Sequence, residues 1–177
     1  MFGALAAIFL WVPTEKEMGV VQRIFYFHVP SAISAFLAFF LVFIASIQYL
    51  RTREEKWDRL ALSAAELGVM FGLIVLISGP LWAKPVWGVY WRWEPRLTTM
   101  LITFTIYVAY LMVRDYGAQV NQAPRLGAVL GILAFVNVPL VEYSVEMWAA
   151  DQQLHPPRNI ELGPEIRYTK YISYASF

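Results

Sequence analysis

Four long stretches of this chain carry almost no charge, and nothing else limits the folds open to it as strongly. Residues 25–50 contain no Asp, Glu, Lys or Arg. Residues 60–83 contain only Glu66, and residues 97–113 and 126–141 are again uncharged. The hydrocarbon core of a bilayer takes about 20 apolar residues as helix, with about 17 at the lower end. The runs lack the alternation of a barrel strand, and within hydrocarbon a helix satisfies its own backbone. The expected fold is therefore all-α, a polytopic integral membrane helix bundle. Residues 1–12 are apolar but short. They lack the charged start and small-residue cleavage site of a signal segment, so they read as a shortened first helix. The count becomes about five transmembrane helices in a single domain over residues 1–177, with residues 155–177 as an irregular C-terminal tail. Asn137 and Pro139 predict a break that bends the last span.

Composition then narrows the function classes. Only 15% of residues are charged and the net charge is +1, which argues for a lipid environment and against nucleic acid or another polyanion as partner. There is no cysteine, which excludes disulfides, thiolate metal sites and a C-x-x-C-H covalent haem attachment on this chain. Imidazole chemistry rests on two residues, His28 and His155.

The loops give an orientation. "RTREEKWDRL" gathers Arg51, Arg53, Lys56 and Arg59, and the positive-inside rule makes this connection cytoplasmic. Arg114 and Arg125 bracket the next loop on that side, while Lys84, Arg92 and Arg96 are exceptions on the other. Following the spans from there, His28, the stretch 87–99 and His155 all reach the outer face.

Two segments at that face carry chemistry. In "FYFHVPS", the residue before Pro30 is biased away from helix and Pro30 suits a first helical turn, so His28 is expected just ahead of a helix. By itself this reads as an aromatic belt with a histidine at its polar edge. In "WGVYWRWEPRLTT", Trp87, Trp91 and Trp93 crowd beside Arg92 and Arg96. Pro85, Gly88 and Pro95 argue against a simple helix through it. Flat aromatic surface plus forked guanidinium donors suits a planar apolar ligand with carboxylate arms. Haem meets that description, and the two histidines could ligate its iron. Glu142 and Glu146 lie near the outer end of the last span, within reach of pairing with Arg92, Arg96 or Lys84. Glu66 receives no role, and Ser31 reads as a residue of a helix start.

These segments, with "FVNVPLVEYSVEMW…LH", resemble the haem-handling proteins of cytochrome c maturation, the CcmC/CcsA family with its tryptophan-rich motif. The resemblance runs in order over roughly residues 10–155. It implies about six transmembrane helices in the bacterial inner membrane, with a periplasmic haem site. It implies non-covalent binding of haem b and its delivery to the haem chaperone CcmE, beside CcmD and the ABC subunits CcmA and CcmB. It implies that His28 is the first axial ligand, that His155 is the candidate second, and that Trp87, Gly88, Trp91, Trp93, Glu94 and Arg96, with Arg92, belong to the haem site. Glu94 stands where the family usually has Asp, and Met147 where it often has a second Trp. Relative to the family the chain reads as short at both ends, without a sixth helix. The implied role is transfer rather than catalysis. A b-type haem electron-transfer subunit and a CcsA-type synthase subunit are the alternatives.

Overall fold

The computed structural model describes residues 2–16, 18–117, 122–148 and 163–176, and only the backbone of 145–148. Helix α1 (Phe2–Ala6) runs into a short π-helical segment, Ala7–Trp11. A 3₁₀ turn, Val20–Ile24, then leads into α2 (Phe25–Thr52). It is followed by α3 (Glu55–Trp87), α4 (Pro95–Tyr116), α5 (Ala123–Phe135), α6 (Asn137–Trp148) and α7 (Pro164–Tyr174). Four helical stretches are long and apolar enough to cross a membrane: Val20–Thr52, Glu55–Trp87, Pro95–Tyr116 and Ala123–Ser144. They cover the four runs expected from sequence, with the shorter apolar helix Phe2–Trp11 before them.

Helices α2 and α3 form the main pair, and small residues set their spacing. Ala64, Gly68 and Gly72 recur every fourth position of α3 and are all buried. Such a stripe lets two backbones approach, which is how helices associate where lipid removes the hydrophobic drive. Phe39 of α2 fills the gap and stacks on Tyr107 of α4, with ring centroids 3.8 Å apart. A Cβ added at Gly68 would overlap the Phe39 ring, and that fully buried ring has no room to move. Gly68→Val is therefore expected to destabilise the bundle by at least the ~1–3 kcal/mol typical of overpacking, seen as a lower midpoint of thermal unfolding in detergent.

The break expected in the last span lies at Val136, between α5 and α6. Asn137 uses it to reach α4: its Nδ2 donates to the Thr99 carbonyl at 2.8 Å and to Thr103 Oγ1 at 2.6 Å. The interrupted backbone is thus tied to a neighbouring helix, as an irregularity at membrane depth requires.

Two expectations are corrected. His28 does not precede its helix. The 3₁₀ turn begins the helical path upstream, so Val29 is helical and Pro30 lies inside α2. Pro30 forgoes one backbone hydrogen bond and is itself buried within the bundle. The tail is not irregular over residues 164–174, which form α7. Pro164 occupies its first turn beside Glu165, a favoured start. Thr169 and Ser173 are buried and return their hydroxyls to the Glu165 and Lys170 carbonyls. A helix that buries hydroxyls rather than a long apolar stripe leaves little trace in a hydropathy reading.

Candidate functional site

The tryptophan stretch is a helix end, a loop and a helix start. Helix α3 continues through Pro80 and Pro85 and stops at Trp87. Gly88 caps it in the left-handed region, φ 76°, donating its N–H to the Lys84 carbonyl at 2.9 Å. A Cβ there would meet nothing within 4 Å, so backbone conformation alone calls for glycine. Lys84 Nζ donates to the Gly88 carbonyl at 2.8 Å and lies over the Tyr90 ring. One cation that broke the charge rule of the outer face is thus a helix-end device. Glu94 and Pro95 restart the helix: Pro95 takes the first turn of α4, and buried Glu94 occupies the preceding cap position.

Around this turn lies a cavity of about 440 Å³, within the range of small-molecule and cofactor sites. Helix α2 contributes Phe25, His28, Ala32 and Phe36. Helix α3 contributes Val75, Leu76, Gly79, Trp82 and Trp87, and the loop contributes Tyr90, Trp91 and Glu94. Arg96, Leu97 and Met100 of α4, Val141 and Glu142 of α6, and Lys170 and Tyr174 of α7 close it. Five helices thus meet at one end of the bundle; the span directions brought His28 and the tryptophan stretch there, and α7 is an addition from the tail.

The structure sorts the sequence candidates. His28, Trp87, Trp91, Glu94 and Arg96 line the cavity. Trp93 is 76% exposed and outside the lining, where it meets Trp91 edge-on at 5.7 Å. Arg92 is exposed and outside the lining. Gly88 acts through the cap. Arg96 pairs within the chain: its Nη2 donates to Glu142 Oε2 at 3.0 Å, one of the pairings expected for that glutamate. His155 and the side chain of Glu146 lie outside the described residues.

Several lining residues had no signal in the motifs. Trp82 is nearly buried and packs edge-on against Trp87 at 4.7 Å. Its place, five positions before Trp87, becomes meaningful once α3 is known to continue that far. Ser78 bonds His28 from fifty residues away, a separation no local pattern reveals. Lys170 and Tyr174 come from the tail. Burial first, and Tyr171 second, push the Tyr174 hydroxyl above its ordinary value, so it remains a neutral donor near pH 7.

The lining fits a planar macrocycle with anionic arms. Its walls are aromatic and aliphatic, and one imidazole, that of His28, lines them. Two cations, Arg96 and Lys170, stand at the edge together with two carboxylates, Glu94 and Glu142, the second of them held by Arg96. The indole nitrogens of Trp82 and Trp91 are buried without a hydrogen-bond partner among the described residues.

Comparison with known proteins agrees. The family described as Heme exporter protein C matches residues 1–172. A ccmC-like mitochondrial protein of cytochrome c biosynthesis from Marchantia polymorpha is 32% identical, over 95% of this chain and 72% of its own length. Heme exporter protein C of Paracoccus denitrificans is 31% identical over 93% and 70%, and that of Escherichia coli K12 is 33% identical over 90% and 65%. The chain thus spans roughly two thirds of these relatives' lengths. With four membrane-length helices and this match over nearly its whole length, the chain belongs to the Heme exporter protein C family.

Proposed function

We propose that this protein takes part in haem export for cytochrome c maturation, holding haem b non-covalently in the cavity on the periplasmic side of the bacterial inner membrane. It delivers haem to the chaperone CcmE and works beside CcmD and the ABC subunits CcmA and CcmB. Its role is transfer, not catalysis. The observation that carries this reading is the cavity itself, which joins His28 to Trp87, Trp91 and Arg96 across five helices. His28 would bind the iron, and Trp87, Trp91 and Trp82 would contact the ring. Arg96, held at the rim by Glu142, and Lys170 would face the carboxylate arms. His155 is proposed as second ligand on the resemblance alone. Placement of the cavity on the periplasmic side rests on the Arg51–Arg59 cluster.

The test separates a haem site from an interfacial anchor. Arg96→Lys keeps the charge but loses the planar fork. Haem delivered per correctly inserted molecule should fall roughly tenfold, the equivalent of about 1–2 kcal/mol of charge-assisted hydrogen bonding. A Trp87/Trp91→Phe double variant should also deliver poorly. Insertion should stay normal in both. Wild-type delivery from both would make the tryptophan stretch an anchor and end the proposal.

A further inference from the structure

The imidazole of His28 lies on α3 rather than on its own helix. Its Nδ1 is 2.9 Å from Ser78 Oγ. A Cβ added at Gly79 would come within 3.3 Å of His28 Cε1, so the ring rests almost on the α3 backbone. Gly79 leaves the space in which the ring lies, and Ser78 meets its Nδ1 edge.

The hydroxyl of Ser78 has one hydrogen, and its position is decided elsewhere. Ser78 Oγ is 2.6 Å from the Ile74 carbonyl, four residues back on the same helix. A carbonyl oxygen only accepts, so a contact this short requires Ser78 to donate there. Toward His28 the same oxygen then presents lone pairs only. The proton on the imidazole must be on Nδ1, and the lone pair of the neutral ring must be on Nε2.

We propose that Ser78 is the positioning residue of this site: it fixes the Nδ1–H tautomer and the orientation of His28, and so makes Nε2 the atom that binds iron. This rests on the reading of His28 as a haem ligand. The physical logic is that of other metal-binding histidines, whose second nitrogen donates to a fixed acceptor that sets the tautomer and raises ligand basicity. The acceptor here is a hydroxyl locked by a helix carbonyl, which suits an apolar wall better than a buried carboxylate would. It adds no charge to be neutralised in the membrane.

The chain holds only two histidines, so the tautomer can be read directly. Haem-free protein labelled with ¹⁵N-histidine and placed in bicelles near pH 7 gives two ring systems, assigned with a His155→Gln variant. Two-bond ¹⁵N–¹H correlations distinguish Nδ1–H from Nε2–H. The wild type and Ser78→Thr, which keeps the hydroxyl, should show His28 as Nδ1–H. Ser78→Ala should shift His28 toward Nε2–H, the form a free side chain prefers, and its haem affinity should fall roughly tenfold or more. Nε2–H in the wild type, or unchanged Nδ1–H in Ser78→Ala, overturns the proposal. If Ser78→Ala does not fold, the wild-type and Ser78→Thr spectra decide the matter. If His28 is Nδ1–H but the wild type binds no haem, the haem reading fails and the tautomer assignment stands.

Discussion

His28→Ala is expected to leave the protein inserted and folded but unable to retain haem. Losing a group that only orients a metal ligand typically costs 10–100-fold in affinity, and losing the ligand itself should cost at least as much. Purified variant should therefore carry about a tenth or less of the wild-type haem. The fold should survive because His28 sits in the cavity wall, whereas the main buried cluster is built around Phe39 and Tyr107. Added imidazole should restore part of the binding, since the space left against Gly79 can admit a free ring that supplies the same nitrogen. The measurement is haem per protein by oxidised and reduced absorption spectra, with and without imidazole. Full occupancy in the variant would remove His28 from the site. Haem that stayed on the polypeptide after denaturing extraction would contradict non-covalent binding.

The second large effect lies at the other end of the bundle. Arg114, in the last turn of α4, donates to Asp58, in the first turn of α3, at 2.6 Å. Their side chains are only 10% and 12% exposed. Each also opposes the dipole of its own helix end favourably. Removing one partner of such a pair leaves an uncompensated charge away from water, which commonly costs 3–5 kcal/mol. Arg114→Met should therefore lower stability by about 3–5 kcal/mol, read as a large fall in the unfolding midpoint in detergent. An Asp58→Leu/Arg114→Met protein should recover most of it, because an apolar pair of similar size needs no neutralisation. The folded fraction of either variant should bind haem normally. Asp58 is separated from Val75, at the near edge of the cavity, by about 25 Å of helix at 1.5 Å per residue. A single variant as stable as wild type would mean that water reaches the pair.

These two effects act at opposite ends of the same helices. At one end, α3 presents Gly79, Trp82 and Trp87 to the cavity and Ser78 to His28. At the other, it is anchored through Asp58. Between them, Gly68 lies against the Phe39 ring of α2, and Gly72 against Phe104 and Met100 of α4 as well as Phe39. The rotation of α3 about its axis is thereby set far from the site, and that rotation is what aims Ser78 at His28.

The lengths of the four spans, the break near Asn137 and the meeting of residues 28 and 87–99 at one end were legible without coordinates. Each follows from a local property. An uncharged run long enough for the hydrocarbon becomes a helix because its backbone has no other partner there, and successive helices must alternate in direction. The specific spacing of the tryptophan motif made the family legible as well. What sequence could not decide is which side of each helix faces the cavity. Trp93 and Arg92 belong to the motif yet point outward, while Trp82, Ser78 and Lys170 lie outside it yet border the site. The charge of Arg96 is met by Glu142, forty-six residues on. Those outcomes depend on helix rotation and on contacts between distant segments. Rotation is set by how side chains of several helices pack at once, and no window of the sequence contains that information.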